Sequence, residues 1–255
     1  MKNGFLHIDS NMINYAAKNK EYRKALAFAM YIYVMNPNTI FTITRDDMCS
    51  KWHLSSRKLN ELLLLAIDYN LIQYDYKTHR IQRFSLSGRY KCKVNIKYLT
   101  KYKDCETWII KLYLMMKFEN AKKIYNLYKD AYNPSIVCKI SEVHKKMKTA
   151  RKAIKRGKLF NYYYYGHSYK NLAEELCVSV CTIRNIIADM IKSGLITSKP
   201  NYKRTTSSSL GFSRQMQKDY KDKGFKGYIL PIRDALYIQY GNYYDLNDNS
   251  FIPNR

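Results

Sequence analysis

The chain has 255 residues, and 45 lysines and arginines against 20 aspartates and glutamates give it a formal net charge of +25. It is long enough to bury a substantial core in one or two domains, and its charge lies far from the balance of an ordinary enzyme, favouring a polyanion such as DNA, RNA or an anionic membrane surface. The longest uninterrupted apolar run, Ala25 to Met35, is too short to span a bilayer, and the opening MKNGFLHIDSNMIN lacks the apolar core of a secretion signal, so a cytosolic protein is expected. A cytosolic chain keeps its six cysteines, Cys49, Cys92, Cys105, Cys138, Cys177 and Cys181, reduced. No cysteine or histidine set has zinc spacing, so the thiols are expected to pack and no metal or cofactor is expected.

Residues 1–20 alternate Phe5, His7 and Asp9 against Leu6 and Ile8, the pattern of a short strand or arm. Glu21 to Met35 is a helix that becomes apolar on every side towards its end, where it should be buried, and Pro37 stops it. Ile43 to Ile72 then reads as two short helices. Ile72 to Tyr76 and Arg80 to Ser87 form two extended runs around Tyr76-Lys77-Thr78-His79, a compact two-stranded wing, and a first domain closes near Asn95. Asp104 to Tyr132 contains a helix whose first half is too apolar to face solvent. It joins two domains into one body or offers a self-association surface.

Lys139 to Lys158 sets Ile140, Val143, Met147, Ala150 and Ile154 on one helical face, with Lys145, Lys148, Lys152, Lys155 and Arg156 nearly opposite. Such a helix packs by one face and shows a row of cations by the other. It is also what a simple solvated face looks like. Its apolar side is narrow and lacks large aromatics, which argues against a membrane surface.

Ser168 to Ile196, SYKNLAEELCVSVCTIRNIIADMIKSGLI, is the most informative stretch. Ser168 suits a helix N-cap, and Leu172, Ala173 and Leu176 give a first helix one apolar face. Val178 and Ser179 interrupt it. A second apolar series follows at Ile183, Ile186, Ile187, Met190 and Ile191, and Gly194 ends it before a strand begins at Leu195-Ile196. Thr44 set against Ser168 aligns the two stretches without a gap, at a constant offset of 124 positions. Met48 meets Leu172, Trp52 meets Leu176, Leu59 meets Ile183, Leu62 meets Ile186, and Leu71-Ile72 meets Leu195-Ile196. What repeats is the spacing of apolar positions, which two helices packed at a fixed angle require.

Both stretches have the pattern of a helix-turn-helix, and the second resembles the winged-helix family, in which a strand and a basic hairpin follow the second helix. Ala173 matches the small residue where that family's helices pack closely, and Ile183 and Ile186 match the branched residues that pin the second helix. Cys177 stands where a glycine often lies in the turn. The first copy departs further, with Cys49 for the small alanine and His53 in the turn. After Ile196, Thr197 to Lys226 is strongly basic, Thr205 to Ser209 is a flexible tip, and Tyr228 to Ile232 is the expected returning strand of a long wing; Arg233 to Arg255 reads as a strand with a tail.

The resemblance implies a mainly α fold with small β-wings, α+β in class, made of two winged helix-turn-helix domains joined by a helical segment. Its boundaries are residues 1–95, 96–136 and 137–255. It implies double-stranded DNA as the partner. Ser179, Cys181, Thr182, Arg184 and Asn185 would face the groove, where Arg184 suits guanine and Asn185 adenine. Lys192, Lys203, Arg204 and the basic helix would hold phosphates. The matching set in the first copy is Ser56, Arg57, Lys58 and Asn60, with the acidic Glu61 on the same side.

Paired winged helices resemble the architecture of plasmid and phage replication initiators, which implies origin repeats as targets and self-association or replication proteins as partners. A transcriptional regulator fits the same residues. So does, in another class, a packaging or virion-associated protein that binds nucleic acid without sequence choice. No catalytic constellation competes: there is no phosphate-binding glycine loop, HExxH or nucleophile elbow. The Tyr162 to Tyr165 run lacks the clustered histidines that a tyrosine nucleophile needs.

Overall fold

The computed structural model describes residues 4–132, 167–207, 229–232 and 235–253. The basic helix expected over Lys139 to Lys158, the Tyr162 to Tyr165 run and residues 208–228 lie outside the described residues. The fold is mixed α+β, with seven α-helices and three small antiparallel sheets among the described residues. None of the helices described is long and apolar enough to cross a membrane.

The chain forms two compact units. The first is assembled from residues 1–116, 173–190 and 248–255, and the second from 117–172 and 191–247. In the first, strand β1 (Phe5–Asp9) pairs with β5 (Lys91–Asn95), Phe5 opposite Asn95 and Asp9 opposite Lys91. Leu6, Ile8, Cys92 and Val94 form the buried face of this ribbon. The expected arm ends at Asp9 because the Asp9 carboxylate accepts from the Asn11 N–H at 2.7 Å and starts a helix, α1 (Ser10–Lys18). The sequence reading missed α1, although Ile13, Ala16 and Ala17 lie buried at helical spacing. Helix α2 (Lys20–Met35) is capped by Asn19, buries ten consecutive-turn residues from Tyr22 to Ile32, and stops before Pro37.

A second sheet has the order β2 (Ile40–Thr42), β4 (Arg80–Arg83), β3 (Ile72–Asp75). The hairpin of β3 and β4 matches the expected wing, except that β4 ends at Arg83, whose guanidinium donates to the carbonyls of Asn36 and Pro37 at 2.7 and 2.8 Å and lies 3.9 Å from the Tyr33 ring. Strand β2 was not foreseen; three residues are too few to show a period of two. Between β2 and β3 run α3 (Arg45–Trp52) and α4 (Ser56–Asp68), and α4 packs on α2. Helix α5 (Tyr102–Tyr132) sends Cys105, Trp108, Ile109, Leu112, Tyr113 and Met116 into the first unit's core. Trp108 stacks between Tyr98 and Phe251, with ring centroids 5.2 and 5.9 Å apart.

In the second unit, the later part of α5 places Phe118 against Tyr244 at 4.5 Å, and Lys122 pairs with Asp245 at 3.0 Å. The third sheet has the order β6 (Ile196–Ser207), β8 (Ala235–Leu246), β7 (Ile229–Ile232). The strand that returns along β6 is therefore β8, with Ile196 opposite Leu246; Ile229–Ile232, expected in that role, pairs with β8 instead. Thr205 to Ser207, expected at a flexible tip, belongs to β6. On the far side of β8, His167 and Asn242 exchange backbone hydrogen bonds at 2.7 and 3.1 Å.

Candidate functional site

Two short helix pairs carry the residues of interest, and their backbones repeat each other. In the first pair the Thr44 hydroxyl accepts from the Asp47 N–H at 3.1 Å and starts α3. Helix α3 ends on His53, which has φ 52°, and the Leu54 N–H then donates to the Cys49 carbonyl. The Ser55 hydroxyl accepts from the Lys58 N–H at 3.3 Å and starts α4, and Asn70 closes it at φ 53°.

In the second pair, α6 (Tyr169–Glu175) starts on Ser168, whose hydroxyl accepts from the Asn171 N–H at 3.1 Å. Cys177 turns at φ 50°, and the Val178 N–H donates to the Ala173 carbonyl. Ser179 accepts from the Thr182 N–H at 3.0 Å and starts α7 (Val180–Lys192), and Gly194 closes it at φ 72°. Each of these features, two N-caps, the left-handed turn and the left-handed exit, recurs at the same offset of 124 residues that the apolar positions showed. The buried positions recur too. Met48, Trp52, Leu59, Leu62, Leu63 and Ala66 are matched by Leu172, Leu176, Ile183, Ile186, Ile187 and Met190. Ile191 is the exception to the expected apolar series: it is exposed, past the last buried turn.

Burial of one face decides what the other offers. On α7, Ser179, Cys181, Thr182, Arg184, Asn185 and Lys192 are all exposed. They lie at the start and along one side of the helix, where the free N–H groups and the positive end of the helix dipole also favour an anion. The Ser179 and Thr182 hydroxyls are 2.8 Å apart, and the Asn185 amide sits 3.8 Å from Cys181 Sγ, so the first turn is locally ordered. Asp189 is exposed too, at the flank of this side that meets α5, where Lys111 Nζ holds it at 2.5 Å.

The matching face of α4 is different. Ser56 and Arg57 are exposed, but Lys58 is half-buried and reaches Glu61 at 3.1 Å. Glu61 also takes a hydrogen bond from Lys24 at 2.6 Å, and this bond, with that from Lys58, holds its carboxyl below the usual carboxylate range. Asn60 Oδ1 accepts from Arg45. Two of the four residues singled out in the first copy are thus already committed to neighbours. Lys24 and Arg45 come from other helices, α2 and α3, and the spacing within α4 does not mark them as its partners.

Lys203 and Arg204 lie in β6, opposite Ile238 and Tyr237, with side chains outside the described residues. Lys145, Lys148, Lys152, Lys155 and Arg156 are also outside them. Among the described residues no three His, Cys, Asp or Glu side chains gather as a metal site would require. Compared with known protein families, characterised proteins and solved structures, the chain matches none.

Proposed function

We propose that the two helix pairs are helix-turn-helix elements of two winged-helix domains and that the protein binds double-stranded DNA through them. The repeat carries this reading: the same caps, left-handed turns and buried positions occur twice, 124 residues apart, each followed directly by an antiparallel strand. A helix pair whose second member buries one face and exposes hydroxyl, amide and guanidinium groups on the other suits the major groove. The net charge of +25 supplies the field that a polyphosphate needs.

In this reading Arg184 forks onto a guanine and Asn185 onto an adenine. Ser179, Cys181 and Thr182 face the groove at the helix start, and Lys192, Lys203 and Arg204 hold the phosphate backbone. The first copy contributes mainly Ser56 and Arg57, because Lys58 and Asn60 are engaged within the protein. A replication initiator or transcriptional regulator of a phage or plasmid is the biological role that paired readers of this kind serve.

Selection of bound fragments from random-sequence duplex DNA tests the proposal. A reader of sequence prefers its selected duplex over random DNA by roughly 10³ or more at physiological salt. Equal binding to all duplexes rejects sequence reading and leaves a charge-driven packaging protein. Repeated sites beside an origin assign initiation; a site over a promoter assigns regulation.

A further inference from the structure

The second helix pair is not an independent module on a tether: residues 173–190 belong to the same compact unit as residues 1–116. Three polar contacts made by charged groups hold it there. Arg23, on α2, is 1% exposed, and its Nη1 donates to the Ala17 carbonyl at 3.1 Å and to the Leu176 carbonyl, at the end of α6, at 2.9 Å. Its Nε faces Glu106 Oε1 on α5 at 3.5 Å, a Coulombic contact rather than an aligned hydrogen bond. Lys111, also on α5 and 7% exposed, holds Asp189 on α7 at 2.5 Å, and the Tyr113 hydroxyl bonds Glu175 of α6.

Surface ion pairs form and break at little cost, but a charge taken out of water is costly to leave alone. Arg23 and Lys111 are buried on the α2 and α5 side, and each loses a partner if α6 and α7 move: Arg23 the Leu176 carbonyl, keeping Ala17 and Glu106, and Lys111 the Asp189 carboxylate, keeping only the Trp108 ring 4.8 Å away. The contacts bracket α7: Leu176 and Glu175 beside the turn that precedes it, Asp189 in its last part. Two such points suppress both rotation and translation of α7 against the helices that carry α4.

We infer that Arg23, Lys111 and Asp189 are positioning residues that fix the two second helices, α4 and α7, as one reading head, so that the protein recognises two DNA segments only at one spacing and helical phase. This rests on the proposed DNA-reading function. The ligand is a duplex with two contact segments; the protein contributes the ruler between them. Rigid linkage of two weak contacts gives an avidity that is lost when geometry forbids both at once.

The experiment uses the full chain and a fluorescent duplex carrying the selected, footprinted site. About five base pairs, half a helical turn, are inserted between the two protected segments. The wild-type protein is expected to bind the lengthened site about 10²-fold more weakly. Asp189→Asn and Lys111→Met are expected to shrink that penalty below about tenfold by weakening the original site, whereas Lys111→Arg keeps it. Arg23→Met should do the same; if that variant does not fold, Asp189→Asn, at a position whose side chain is 58% exposed, carries the comparison. A wild-type protein indifferent to the insertion, a footprint with a single protected segment, or variants as spacing-sensitive as wild type would overturn the inference while leaving DNA reading intact. If no selected duplex outcompetes random DNA, the DNA-reading proposal itself falls.

Discussion

His53 and Cys177 hold the same left-handed backbone, φ 52° and φ 50°, at the same point of two helix pairs. Neither is the glycine that such a turn ordinarily favours, and each is followed by a residue whose N–H returns to a carbonyl five positions back. A left-handed non-glycine residue costs roughly 1–2 kcal/mol, and a β-branched one is strained further. Cys177→Gly should therefore leave thermal stability unchanged or raised. Cys177→Val should lower it by about 1–2 kcal/mol. Chemical denaturation of both variants checks this, and a Val variant as stable as wild type would mean that the turn is not held in that conformation in solution.

Gly88 approaches Asp9 so closely that a Cβ there would lie 1.4 Å from the carboxylate oxygen. Gly88→Ala must push away the side chain that caps α1, at a cost of about 1–2 kcal/mol. In an Asp9→Ala background, where the cap and the carboxylate are gone and only the Cβ of residue 9 remains, 2.9 Å away, the same substitution should cost less. The non-additivity is read from a double-mutant cycle in urea.

Glu61 accepts from Lys24 and Lys58, and its folded pKa is lowered from the ordinary 4.5. A lowered carboxylate adds stability above its unfolded pKa and loses it as pH falls through the folded value. Glu61→Gln should flatten that acid limb of the stability–pH curve. If the α4 face approaches DNA, the same variant frees Lys58 for phosphate, raises affinity and steepens the salt dependence by about one unit. An unchanged salt slope would place α4 away from the duplex.

Cys177 and Cys181 are exposed, whereas Cys92 and Cys105 are buried, and burial pushes the Cys105 thiol well above its ordinary range. Iodoacetamide at pH 8 should label Cys177 and Cys181 in the native protein and reach Cys92 and Cys105 only on unfolding. Bound duplex should protect Cys181, in the first turn of α7. Tight binding with undiminished Cys181 labelling would rule out the α7 face as the contact, as would an Arg184→Ala variant that keeps both affinity and sequence preference.

The helix pairs were legible because their signals are local: Thr44, Ser55, Ser168 and Ser179 are capping residues, and Ile183, Ile186 and Met190 fall on one helical face. Helix α1 was hidden because its cap, Asp9, is also the last residue of β1, so the alternation of Phe5 to Asp9 masked the change of period. Strand β2 was hidden because its three residues are defined by their partner β4, whereas β5 alternates Lys91, Lys93 and Asn95 against Cys92 and Val94, a period of two as plain as that of β1. The return of β8 along β6 likewise depends on a pairing that residues 229–232 satisfied equally well by composition. At the site, the face of α7 was readable from spacing. The engagement of Lys58 and Asn60 was not, since Lys24 and Arg45 come from other helices.

The scattered make-up of the first unit also sets an order of events during synthesis. Domains generally begin to fold as they leave the ribosome, N-terminal residues first. Here, though, the carbonyl that Arg23 needs is at Leu176, and the ring that completes the Trp108 stack is Phe251. The emerging N-terminal segment must hold a charge and an apolar helix face open across more than half the length of translation. Closure of its core is thus a late, long-range event, and expression of residues 1–116 alone should yield a loosely packed protein that binds chaperones rather than a folded domain.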